Sequence, residues 1–519
     1  MGKRPYACPC LVRSSQKVRN AMRAKHGQAI RLLAYATLPR TKGTWHMRHK
    51  VQNTKFIVWI TTTLAVLGVL PGSAMAQRAR FDYRDQPIAM HSGTHDGAGE
   101  QLRMAFRQNL HVPGTPWMRL RVADYNLGDA SFITLTSLAD GGWQYLDAQS
   151  LPQWENATAV FNGDTVQVEL HVAPGDSGVF IEFNAATVAD LEVDGGAPGG
   201  DPPESICGGS DDRVPSNDSR IGRLFFGGCT AWLVGNGAVL TAGHCGPISG
   251  VMEFNVPPST SNGNPIAADP NDQYPVNTST DVFEANGEGA DWAVFGLNPN
   301  SNTGLTAHQA QGFVRLTLQV PADGTLLRVT GYGVDNLPNG SGGAGAECCD
   351  SNNDDVCELN CNSASRTQQT STGTLDNLDG TILEHNVDTM PANSGSPIMY
   401  SNAAHAIAIH AQGGCDSIVN GFDNAGTYLG YDPLHDAVKF FQGTNFVYMD
   451  PANNFGAEFG SIFYPYPTIG LAVGGVPNGG NIEIWPGSYP AASGNTVFAG
   501  AGGKSMTLRA PYGSVVIGN

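Results

Sequence analysis

The stretch Phe225–Cys245, FFGGCTAWLVGNGAVLTAGHC, restricts what this chain can fold into more than any other. Two apolar runs flank a Gly-Asn-Gly turn, which is the pattern of a β-hairpin whose strands are both buried. Cys229 and Cys245 stand at its two ends, so a disulfide between them would pin His244 beside the second. A lone histidine is more often structural than chemical. One set in L-T-A-G-H-C, after G-C-T-x-W, is a much narrower pattern.

Composition agrees with a strand-and-turn protein. The chain has 65 glycines and 32 prolines with only 14% charged residues, which favours short strands over long helices. Its 519 residues suffice for roughly two to four domains. Residues 1–76 hold 13 of the 29 Lys and Arg and no acid, leaving 16 basic against 46 acidic residues in the remainder. That balance argues against nucleic acid and anionic membrane as partners.

The basic N-terminus reads as a leader. Met47 opens a basic stretch, an apolar run of 15 residues follows from Phe56 to Leu70, and Ala74-Met75-Ala76 ends it as a small-residue cleavage site. The run is short for a membrane span, so no membrane anchor is expected. Residues 1–46 are read as an upstream extension and 47–76 as a signal peptide, which makes the protein secreted, extracellular or periplasmic. Eight cysteines beyond the leader, an even number in an exported chain, imply disulfides. There is no C-x-x-C or H-E-x-x-H, and no metal site is expected.

Residues 77–195 read as a β-sandwich, from the strand-like runs 117–122, 131–137, 165–171 and 178–186, serving as an accessory or pro-domain. Residues 196–204 are a Gly/Pro linker, and 205–442 a second β-rich domain. Asp432-Pro433 predicts a closing helix with Asp432 as its N-cap. Residues 445–519 carry two strand-and-turn stretches about 20 residues apart, like the opening coils of a parallel β-helix. A four-cysteine insertion at 339–364 places Asp350, Asn352 and Asp354 at alternate positions. It lacks the glycine and distal glutamate of a calcium loop, so a solvated acidic loop is the preferred reading and calcium the alternative.

Three residues within 205–442 suit nucleophilic catalysis together. Ser394 sits in the turn PANSGSP, where the following glycine keeps bulk away from the hydroxyl. Asp291 opens the apolar strand DWAVFGL, where a carboxylate is costly to bury unless paired, for example with an imidazole N–H. His244 is the third.

With the order His244, Asp291, Ser394 in place, the segment 205–442 resembles the chymotrypsin-like serine peptidases, and most closely the bacterial glutamyl endopeptidases. SICGGSDDRV, CTAWLV…LTAGHC, DWAVFGL, DTMPANSGSP and IAIHAQGG carry the likeness, over less than half of the chain. The resemblance implies an all-β fold of two six-stranded barrels. It also implies a His244–Asp291–Ser394 triad, an oxyanion hole from the Ala392 and Ser394 amides, and no cofactor. Polypeptide substrates and a monomer are expected. Thr389 and His410 occupy the positions that contact an acidic side chain in glutamyl endopeptidases, and Asp388 the position that selects Lys or Arg in trypsin. Acidic specificity is preferred over basic; an inactive extracellular binding protein is the other alternative. Two departures stand out: Pro391-Ala392 replaces the usual Gly-Gly, and Asn393 replaces aspartate before the serine. Glu204-Ser205 lies just before the segment that resembles a mature start, so cleavage there, releasing the sandwich, is expected.

Overall fold

The computed structural model describes residues 75–76, 82–190, 205–208, 210–260, 263–335, 363–415, 423–443, 445–453, 459–491 and 504–518. Residues 1–74, expected to be an upstream extension and most of a signal peptide, the expected linker 196–204 and the insertion with Asp350, Asn352 and Asp354 lie outside these residues.

Two six-stranded antiparallel barrels form the second β-rich domain. The first closes in the order Ile221–Leu224, Cys229–Leu233, Val239–Thr241, Asp291–Leu297, Gln273–Ala285, Val251–Glu253. The second runs Leu326–Gly331, Gln369–Asp379, Ile382–His385, Asn424–Tyr428, His405–Gly413, Pro397–Tyr400 and returns to its first strand. This is the double barrel that the sequence resemblance implied. Both faces of Cys229–Leu233 and His405–Gly413 are buried, which is why these strands read as continuous small and apolar runs.

Ahead of the barrels, two four-stranded sheets face each other. One orders Tyr83–His91, Phe180–Ala189, Trp117–Asn126 and Phe161–Asn162; the other Arg103–His111, Thr165–Val172, Phe132–Ser137 and Trp143–Asp147. Thr165–Val172 alternates between half-buried and buried residues throughout, so each inward Val or Leu reaches the shared core. Tyr83–His91 and Arg103–His111 escaped the sequence reading because charged residues interrupt their alternation.

After the barrels, Asp432–Phe440 is helical. Asp432 lies inside the first turn rather than at the N-cap, which is Tyr431 and makes no side-chain cap. The aspartate faces the positive end of the helix dipole there instead. Beyond it, Phe446–Met449, Gly480–Ile484 and Met506–Arg509 pair in parallel, as do Gly487–Tyr489 and Val515–Ile517. Among the described residues no helix is long and apolar enough to cross a membrane.

Candidate active site

His244 lies in a 3-10 turn, Gly243–Cys245, directly after the strand Val239–Thr241. Cys245 is disulfide-bonded to Cys229, so the turn is fastened to the strand that starts the hairpin. Gly243 is needed because a Cβ there would run into the carbonyl of Glu284. That close approach presses the histidine turn onto the strands holding Asp291.

Asp291 is buried at the start of its strand. One carboxylate oxygen accepts the His244 backbone N–H at 2.8 Å, and the other lies 2.7 Å from Nδ1 of the ring. A carboxylate so close holds the ring proton on Nδ1, which leaves Nε2 as an acceptor. Nε2 is 2.8 Å from Oγ of Ser394. The backbone of Asp291 is clamped in turn by Thr427 of the second barrel, whose hydroxyl accepts the Asp291 N–H and donates to its carbonyl.

Ser394 is set in a turn that bridges the barrels. Its carbonyl accepts from Thr230 N–H at 2.9 Å, one residue past Cys229. Gly395, at φ 89°, admits no Cβ because Thr230 and Thr241 press against it. Its N–H donates to the carbonyl of His410 at 2.7 Å. Asn393 N–H donates to Met390, and Ser396 N–H to Asn393. The Ala392 and Ser394 amides donate to no protein acceptor among the described residues. Ala392 adopts φ 77°, a left-handed conformation that glycine takes without strain and alanine does not.

The three specificity candidates have different surroundings. Thr389 is fully buried, and its Oγ1 has no hydrogen-bond partner among the described residues. Asp388 turns toward the segment 207–212, where its two oxygens accept the amides of Cys207 at 2.7 Å and Asp212 at 2.9 Å. Burial pushes its carboxyl up to about 6 against the pull of those amides, and Asp212 and Asp211 add to the rise. His410 is fully buried, and burial holds it well below the ordinary imidazole value, with His385 and His244 adding to the effect.

Sequence reasoning missed His385, a second fully buried histidine. Its Nδ1 accepts the Val387 N–H at 3.2 Å, and its Nε2 lies 3.3 Å from Nδ1 of His410. It also missed Asn424, whose amide donates to the carbonyls of Val387 and Ser205, and the disulfide Cys207–Cys415. Ser205 pairs with Thr389, bringing the start of the second β-rich domain against the specificity candidates. Cys229, His244 and Cys245 place three ligand-type atoms together, but both sulfurs are in the disulfide and offer no thiolate to a metal.

Residues 206–428 match the family model Trypsin. No curated protein matches the chain. Among solved structures, a Glu endopeptidase in complex with MPD is similar at 17% identity and a TM-score of 0.32, over 45% of this chain and 98% of its own. Neuropsin, a serine protease expressed in the limbic system of mouse brain, is similar at 13% identity and a TM-score of 0.30, over 45% of this chain and 100% of its own. The matched segment is a chymotrypsin/trypsin-like serine endopeptidase domain.

Proposed function

We propose that this domain cleaves peptide bonds with Ser394 as nucleophile, His244 as general base and acid, and Asp291 as the group that orients the imidazole. The observation that carries the reading is the continuous line Asp291–His244–Ser394, at 2.7 and 2.8 Å. Oγ attacks the scissile carbonyl carbon while its proton passes to Nε2 of His244. The amides of Ala392 and Ser394 receive the oxyanion; losing one such donor costs about 3 kcal/mol of transition-state stabilisation. The C–N bond then breaks, Nε2 returns the proton to the leaving amine, and water releases the acyl group by the same steps in reverse. Side chains, backbone amides and water supply all of this chemistry.

For specificity we favour an acidic residue before the scissile bond. Thr389 supports this with a buried hydroxyl that lacks a partner among the described residues, a group that a substrate carboxylate would satisfy. His410 supports it as a neutral ring whose Nδ1 faces a donor, which makes its Nε2 carry the proton. Asp388 supports it by elimination, since both its oxygens are engaged by backbone amides rather than offered to Lys or Arg.

An extended substrate would lie along Gln412–Gly413. Met75–Ala76 pairs antiparallel with those residues, so that edge accepts a strand. Export with loss of the leader after Ala76 would clear it. An organophosphonate serine probe tests the chemistry: labelling at Ser394 is expected, and an unlabelled folded protein would favour the binding-protein alternative. Matched peptides ending in Glu, Lys and Phe test the preference, which fails if Lys or Phe is cleaved as well as Glu.

A further inference from the structure

Three residues of the first barrel's segment join the hydrophobic core of the sandwich. Phe225, Val251 and Ala267 of the barrel segment are buried in the same cluster as Trp117, Leu120, Phe161 and Val188 of the sandwich. Trp117 meets Phe225 edge-on at 4.9 Å, and the guanidinium of Arg119 lies over Phe226 at 5.5 Å.

Side-chain amides seal the polar part of this contact in both directions. Gln273 of the barrel accepts the Val160 N–H at 2.8 Å and donates to the Val160 carbonyl at 2.8 Å, so it takes the place of a neighbouring strand. Asn162 of the sandwich does the same for Ala267, at 2.8 and 3.0 Å. Asn302 accepts from Tyr145 N–H and donates to the Trp143 carbonyl. Val160, Ala267 and Gln273 are buried. Separation would expose the aromatic cluster and strip these backbone groups of the side-chain amides fitted to them. A domain built for release would present a face that water can cover; this one does not.

We infer that the sandwich is a permanent half of the enzyme: when the 194–204 linker is cut, the two pieces stay together as a noncovalent one-to-one complex. Its folded partner is the first barrel, and the contact braces the catalytic hairpin. Phe225 and Phe226 lead directly into Cys229, bonded to Cys245 beside His244, and into Thr230, which holds the Ser394 carbonyl. Cleavage after Glu204 would then free the terminus at Ser205 without shedding the sandwich.

The test uses the full chain with Ser394→Ala, to silence self-cleavage, and a site-specific protease sequence within residues 196–203. After cutting, native mass spectrometry and gel filtration should find one species containing both pieces. Two separate species would overturn the inference. The same cut chain with Asn302→Ala, at the half-buried rim where folding is least at risk, should dissociate about tenfold more readily on dilution. Gln273→Glu, which sets a carboxylate against the Val160 carbonyl, should do so more strongly. If both variants dissociate no more readily than the parent, this face is not what holds the pieces.

Discussion

Nε2 of His385 lies 3.3 Å from Nδ1 of His410, and the proton between the rings belongs to His385. Its other nitrogen already accepts the Val387 N–H, so a neutral His385 has its hydrogen on Nε2. The backbone thus sets the tautomer of His410 through a second histidine, and turns its far nitrogen into a donor.

Replacing His385 by Phe removes that setting while filling the space. Peptides ending in Glu should lose about tenfold in kcat/KM, the worth of roughly one hydrogen bond. Peptides ending in Phe should change little, and His385→Gln should recover part of the loss. Parallel kinetics on both substrates checks this; equal losses would assign His385 a purely structural part.

The same pair predicts a pH dependence of stability. Burial lowers His385 to about 3 and His410 well below its ordinary value. The unfolded chain binds these protons near pH 6.5, whereas the folded protein refuses them. Their contribution is therefore complete above pH 6.5 and falls as the pH drops toward 3, by at most about 1.4 kcal/mol per pH unit for each ring. Urea unfolding at pH 7 and pH 5 should show His385→Phe with the shallower decline.

Thr389→Val separates binding from folding. The hydroxyl is buried without a partner among the described residues, so its removal should leave stability unchanged or raise it by about 1 kcal/mol. Cleavage after Glu should fall nonetheless. Thermal unfolding and peptide kinetics on one preparation decide the matter.

Ala392→Gly should relieve the left-handed strain at φ 77° and stabilise the protein by about 1 kcal/mol. Turnover should hold or rise, because the amide offered to the oxyanion is retained. A lower melting temperature would show that the surrounding turn uses the methyl group.

Asp291→Asn should lower kcat by about 10⁴ with little change in KM, since a neutral amide no longer holds the ring proton on Nδ1.

Much of the double barrel was legible because its motifs are local. The hairpin around Gly237, the apolar strand after Asp291 and the glycine after Ser394 each declare themselves within a few residues. What stayed hidden depends on long-range pairing. Cys207 meets Cys415 across 208 residues, and Asn424 reaches Ser205 across 219. His385 lay between these cases: the alternation of Ile382-Leu383-Glu384-His385 buries Leu383 and His385 on one face, a sign that was present but not used. Asp388 was placed by its position in a motif, which says nothing of where its carboxylate turns. The seal between sandwich and barrel was equally invisible, because Gln273 and Asn162 sit in strands that look like any others.

The clamp of Thr427 on Asp291 joins residues from different barrels. The acid that steadies the imidazole is thus itself steadied by the opposite barrel. A small parting of the barrels would loosen Asp291 before either barrel lost a strand, so mild heat or denaturant should silence Ser394 while both halves are still folded.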